Sequence, residues 1–494
     1  MKIMKKTIKY SLLGTLVSAT LFLTGCKDYL KEEVFSQLAP ENYLNTKEGL
    51  TSVLYEAYAK AANMNGNNSI YVLGPQEFVT DILYQSGDNV EATIRNFREF
   101  TWDPNMDFLV QNWDTYYQCI RDANILLENI PNSNLTAAEK TLYQAEARFL
   151  RAVSYYKLYF FFGTVPLRTS TSQALSLPRA SDDELKQFIT TELKFAIENL
   201  PNPGAEAQKY RAHKAAASGY LIKFYLNTKN WNEASTLSAQ FLSSFKNYSL
   251  YAQYKDLFKV ENENNPEYIW VRPAIASSDR VTANSWSNVS FPDNFKSAPE
   301  VGLTFKSTWL NWPNEFRIYD KFYNTFEAAD KRKDLMITYY TNTSDQRVEL
   351  RGSDNIRSFK YWPDPNNVGA AHGNDIPEIR LADILLSRAE ALNELNGPNA
   401  DALDLVNQVR SRAGLPALKL ESVATKEAFR DMILLERGHE FFNEGHRRMD
   451  LIRTGKFISD AQARGKNAQS FHLLFPIPQV VIDSDPAIKQ NPNY

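Results

Sequence analysis

Two cysteines and five histidines in 494 residues leave little from which to build a disulfide framework or a metal centre. Charge bias is missing as well: 55 Lys and Arg stand against 58 Asp and Glu, for a formal net charge of -3. Without a basic footprint for phosphate backbones, nucleic acid is not an expected partner. Long apolar runs are also absent. The one extended uncharged stretch, Tyr10 to Gly25, is too short and too rich in Ser, Thr and Gly to span a bilayer as a stable helix. Hydrophobic residues at 43% and charged residues at 23% suit an ordinary folded chain. What the sequence has in excess is aromatic: 26 Tyr, 29 Phe and 8 Trp. Most such rings belong in a core, but clusters of them in loops suit flat, hydroxylated ligands, because each ring offers an apolar face and Tyr and Trp add a polar tip.

Lys2, Lys5, Lys6 and Lys9 precede the uncharged stretch, the pattern of a secretory signal. It ends in Leu23-Thr24-Gly25-Cys26, which resembles the lipobox of bacterial lipoproteins. That resemblance implies cleavage before Cys26 and acylation of its thiol, so residues 1–25 are expected to be a signal peptide. Several acyl chains on one residue give durable attachment, each buried CH₂ adding about 0.8 kcal/mol. KDYLKEE follows and resembles the acidic export tags of surface lipoproteins in the Bacteroidetes, so residues 26–40 read as a tether. With Cys26 acylated, Cys119 has no partner and packing must supply stability. Cys119 lies in WDTYYQCIRDANILL, a helical pattern that predicts a buried, inert thiol.

Residues 41–494 read as a single mainly α domain. Leu142, Ala145, Phe149, Ala152, Tyr156 and Tyr159 step by three and four, one face of a long helix that stops at Gly163 and Pro166. Ser181 with Glu184 three residues on predicts an N-cap for the next helix. Further pairs follow: Ala215, Gly219, Ile222 and Leu226 with NWNEASTLSAQFL, and IRLADILLSRAEALNELNG with ADALDLVNQVRSRAGL. Antiparallel pairs of this length resemble tetratricopeptide repeats, here degenerate and interrupted. Two long irregular excursions, at about residues 63–112 and 258–375, interrupt the platform, and loops of that length in a compact chain are usually functional.

ERGHEFFNEGHRRMDLIR, residues 436–453, begins an H-E and returns to a second histidine. A zinc hydrolase helix needs two histidines one turn apart, but the fourth residue after His439 is Asn443, and His446 follows Gly445. The two cannot share an ion from one helix, so no metal is expected. Glu436, Arg437, Glu440, Glu444, Arg447, Arg448 and Asp450 alternate in sign around Phe441, Phe442, Leu451 and Ile452, which reads as a framework element whose charges pair. This stretch, LFPIPQVVIDSDPAIKQNPNY at the chain end, EARFLRAVSYYKLYFFFGTVPL and WDTYYQCIRDANILL together resemble the SusD/RagB family of nutrient-binding outer-membrane lipoproteins.

The resemblance implies a lipoprotein on the outer face of the outer membrane. It would capture an oligosaccharide, or sometimes a peptide, and pass it to a SusC-like TonB-dependent transporter over which it acts as a lid. No cofactor is expected. The candidate ligand-binding residues come from loop composition: Trp286, Trp309, Trp312 and Trp362 in the second excursion, with Tyr71, Tyr84 and Asn89 in the first. Trp309 and Trp312, in TWLNWPNEF, are the expected stacking platform. A surface hydrolase is the competing class, but the sequence shows no paired carboxylates at a telling spacing, no nucleophile elbow and no phosphate loop. A scaffold that grips the transporter and binds no small ligand is the third reading.

Overall fold

The computed structural model describes residues 43–62, 68–85, 91–276, 283–313 and 316–494. The expected signal peptide, the tether, Cys26 and Asn89 lie outside the described residues. The chain runs through α1 (Lys47–Ala61), α2 (Asn68–Glu77) and α3 (Glu91–Glu99) before the long hairpin of α4 (Asp107–Asn129) and α5 (Ala137–Phe162). α6 (Asp182–Asn199), α7 (Lys214–Asn227) and α8 (Trp231–Ser244) follow, then one-turn α9 (Asp320–Tyr323) within the second excursion. α10 (Leu381–Asn396), α11 (Ala400–Arg412), α12 (Lys426–Phe441), α13 (Arg447–Arg453), α14 (Phe457–Ala463) and α15 (Gln479–Ser484) complete the helical set. Packing proceeds neighbour to neighbour, α1 on α4, α4 on α5, α5 on α6, α6 on α7 and α7 on α8; α8 then meets α10, so the platform closes across the excursion.

Local chemistry explains the ends. Thr136 and Glu139 close a capping box at the start of α5, and Ser181 and Glu184 do the same for α6. α5 stops at Gly163, whose φ of 77° suits glycine. On α7, Gly219 lets the helix press on strand Ile376–Arg380: a Cβ there would stand 2.9 Å from Ile379 Cγ2. Cys119 is fully buried on α4, its thiol donating to the Ala57 carbonyl at 3.3 Å and pushed by burial up to about 12.

The first excursion is not irregular, contrary to the sequence reading. Most of its described residues lie in α2, α3 and the start of α4, even though α2 contains Pro75. A proline there removes the bond to the Tyr71 carbonyl one turn earlier. Asn112 Nδ2 on α4 donates to that carbonyl at 3.1 Å instead. The second excursion carries most of the strands, in small antiparallel sheets that reach beyond it: β1 (Leu83–Gln85), from the first excursion, pairs with β3 (Phe316–Ile318), and β2 (Tyr268–Arg272) with β4 (Ile376–Arg380). It has its own apolar nucleus of Phe291, Phe295, Trp309, Tyr340 and Phe359, separate from the main core.

The charged stretch at 436–453 is buried almost throughout. Glu440 accepts Arg380 Nη1 at 2.5 Å and Arg332 Nη1 at 3.2 Å, with Arg412 on the same carboxylate. Arg380 also reaches Glu267 at 2.6 Å and Glu444 at 2.8 Å, and Lys360 pairs with Glu444 at 2.5 Å. Burial pushes the Glu440 carboxyl up, but the guanidiniums of Arg412, Arg380 and Arg332 outweigh it and hold the group well below the carboxylate range. Buried charges persist only when paired this completely. The histidines serve the same packing: His439 stacks on Phe326 and bonds Thr325, and His446 stacks on Phe441. Among the described residues no His, Cys, Asp and Glu group could hold a metal ion.

Candidate functional site

A cleft of about 340 Å³ opens between α1, α5, the segment before α7, and β2. That is within the range of small-ligand sites, which run to several hundred Å³. Each wall follows from local sequence. Tyr55 and Tyr58 are three apart on α1 and therefore share a face, and both line the cleft. Phe149 and Val153, four apart on α5, form the apolar back. Trp270 on β2 is half-buried, its ring meeting Phe149 edge-on at 5.2 Å.

The segment Gln208–Arg211 forms the polar rim and is pinned at three points. Tyr55, 42% exposed, donates its hydroxyl to Gln208 Oε1 at 2.6 Å. The Tyr210 hydroxyl donates to Asp375 Oδ2 at 2.9 Å, and Tyr210 has a φ of 71°, an uncommon conformation for a bulky residue, held by that contact. Arg211 pairs with Glu146, with Nε at 2.8 Å from Oε1. At the floor, Tyr220 donates to Glu378, and Lys157 Nζ sits 2.9 Å from Glu378 Oε2. Burial pushes the Glu378 carboxyl up, but Lys157 and the Tyr220 hydrogen bond outweigh it and keep the group ionised. Arg272 also lines the floor.

Asp375, behind Tyr210, is pushed by burial up to about 6, and Glu263 by burial and by Asp375 up to about 7. Such shifts mark proton-transfer groups in some sites. Here Asp375 serves as the acceptor for Tyr210 and for the Ala274 amide at 2.9 Å, and neither carboxylate lines the cleft. The arrangement offers ring faces bordered by amide, hydroxyl and guanidinium groups. That is chemistry for holding a hydroxylated ligand by stacking and hydrogen bonds.

None of the described residues proposed from the sequence lines this cleft. Trp286 is 0% exposed, packed on Phe316, and Trp309 is 5% exposed, its Nε1 donating to the Asp364 carbonyl at 2.9 Å. The expected Trp309 and Trp312 platform is therefore corrected: Trp309 is part of the excursion's own nucleus, its ring packed against Phe291 and Phe305. Trp312 and Trp362 are half-buried, with Lys255 Nζ 5.0 Å from the Trp362 ring. Tyr71 stacks on Phe108 at 4.1 Å, and Tyr84 donates to the Asp354 carbonyl at 2.7 Å. Tyr55, Tyr58 and Trp270 are on a helix and a strand, where aromatics read as core, and Tyr210 stands alone in a short connection. The available signal was Lys209-Tyr210-Arg211, an aromatic flanked by cations in an otherwise polar connection.

Compared with known proteins, the sequence profile described as the SusD family matches residues 217–494, more than half of the chain. The chain belongs to the SusD family. A second profile, described as starch-binding and associating with the outer membrane, matches residues 28–226 of this SusD-family chain. A SusD-like protein of Formosa agariphila is 25% identical to it, with 94% of this chain and 95% of the relative covered. The starch-binding protein SusD of Bacteroides thetaiotaomicron is also 25% identical, with 73% and 74% covered. Among solved structures, a laminarin-binding SusD-like protein superposes with a TM-score of 0.78 at 25% identity, covering 91% of this chain and 100% of that one.

Proposed function

We propose that this SusD-family protein is a lipid-anchored, cell-surface glycan-binding protein that captures an oligosaccharide without cleaving it and delivers it to a SusC-like TonB-dependent transporter. The observation that carries the binding reading is the aromatic cleft under Tyr55, Tyr210 and Trp270, with its rim of hydrogen-bonding side chains. Relatives named as starch-binding and laminarin-binding support a glucan as the first ligand to test. Trp312, Trp362, Tyr71 and Tyr84, which lie outside this cleft, stay in the proposal as ligand-contact residues. The Cys26 lipobox supports the anchor. The test is a screen of the purified full chain against immobilised glucans, other glycans and a peptide pool. Retention on a glycan but not on peptides is expected; retention on peptides alone contradicts the reading.

The lid reading draws on a different feature. A groove of about 920 Å³ between α4, the 166–176 segment and the C-terminal residues is edged by Leu175, 92% exposed. Leu44, Ile125, Val481 and Pro486 line the same groove, and an apolar lining of that kind suits a protein partner and is compatible with glycan capture elsewhere.

A further inference from the structure

The connection between α6 and α7 borders two cavities. Gln208–Arg211 face the aromatic cleft, while Asn202–Gly204 face a second cavity of about 840 Å³ bounded by α6, α7, α8 and the turn after α8. The two share no lining residue. Phe245 and Tyr248, both half-buried, come from the turn Phe245-Lys246-Asn247-Tyr248 and line it.

That turn is rigidly set. Phe245 N donates to the Phe241 carbonyl at 2.9 Å, Tyr248 N to the Phe245 carbonyl at 3.3 Å, and Ser249 N to the Pro266 carbonyl at 3.0 Å. Phe241, 1% exposed, backs both rings: Phe245 meets it edge-on at 4.9 Å, and Tyr248 stacks on it at 5.9 Å and 26°. Two aromatic rings are thus presented with little conformational entropy left to lose on binding.

The polar groups around these rings differ from those of the first cleft. There, Gln208, Tyr210 and Arg211 are each tied to another side chain of the protein. Here the side chains of Asn202, Gln240, Asn247 and Lys214 line the cavity with no hydrogen bond or ion pair to another described residue. Two amides and a glutamine supply both donors and acceptors, and the lysine supplies donors. Sugar hydroxyls need donors and acceptors in alternation, and pyranose CH faces need flat apolar rings.

We infer that this cavity is a second carbohydrate-binding site, separate from the aromatic cleft, in which Phe245 and Tyr248 stack a neutral pyranose chain whose hydroxyls are held by Asn202, Gln240 and Asn247. Two sites on one chain let it hold one polymer at two points, and linkage of the second contact to the first raises overall affinity without any new contact.

The experiment is calorimetric titration of the purified full chain with maltohexaose, cellohexaose and laminarihexaose, alongside Tyr248→Ala, Asn247→Ala and Trp270→Ala. Asn247 is exposed, so its replacement leaves packing intact. Two hexasaccharides per chain are expected for at least one sugar, with one of the two events weakened about tenfold or more by Tyr248→Ala and also weakened by Asn247→Ala. Trp270→Ala should leave that event in place. Loss of binding in the Tyr248 and Asn247 variants with none in Trp270→Ala supports this site and overturns the cleft. A single hexasaccharide per chain that is insensitive to Tyr248→Ala and Asn247→Ala overturns this site, as does no binding of any of the three sugars.

Discussion

Glu77 shows how far a single residue's chemistry is set by its surroundings. It ends α2 fully buried, and its Oε1 accepts the Gly445 amide at 2.7 Å, which ties the first excursion to the charged stretch. Burial pushes its carboxyl from 4.5 up to about 8. Between those values the folded state keeps a proton that the unfolded chain releases, so this group's contribution falls as pH rises from about 4.5 to about 8 and is flat outside that window. Glu77→Gln should remove that slope, worth a few kcal/mol, and denaturant midpoints at pH 5 and pH 8 would then converge relative to wild type. An unchanged slope would show that Glu77 is ionised when folded. The sequence made the pairing of 436–453 legible as sign alternation. It could not show that the partners are distant, such as Arg332, Arg380 and Asp81, because the fold and not the helix repeat brings them together. For the tryptophans the error ran the other way: loop composition suggested surface rings, and Trp286 and Trp309 are enclosed.

Among the elements, the helical pairs were readable because a 3.6-residue apolar repeat, a capping box and a stop glycine agree at α5 and α6. α2 and α3 were not. α2 carries Gly74 and Pro75, and the described residues of α3 bury only Ile94 and Phe97, so their periodicity was too thin to outvote the breakers. Tertiary contact decided the matter, through Asn112 on the Tyr71 carbonyl, to which Pro75 itself cannot donate. Asn112→Leu should therefore destabilise the protein by about 1–3 kcal/mol, read as a lower denaturation midpoint. Stability within a few tenths of wild type would show that α2 stands without it. The cleft was hidden for a related reason: its rings sit on α1, β2 and a short connection, and only the packing of α1 on α4 and α5 and the pairing of β2 with the strand Ile376–Arg380 bring them to one place.

For the whole molecule, the family was legible in the order of several motifs spread along the chain, whereas the ligand site was not, because no single segment contains it. The same holds for attachment. If Cys26 carries the anchor, Cys26→Ala should move the protein from the membrane fraction to the soluble fraction with an unchanged melting temperature; retention in the membrane would contradict the lipid assignment. If the cleft under Trp270 holds a glycan, the affinity of the full chain for whichever glucan the screen retains should depend on that ring. Titrating wild type, Trp270→Ala and Tyr210→Ala with that glucan, with melting temperatures recorded for each, decides it. Both variants should fold, and Trp270→Ala should bind about tenfold or more weakly. Wild-type affinity in both folded variants would contradict it.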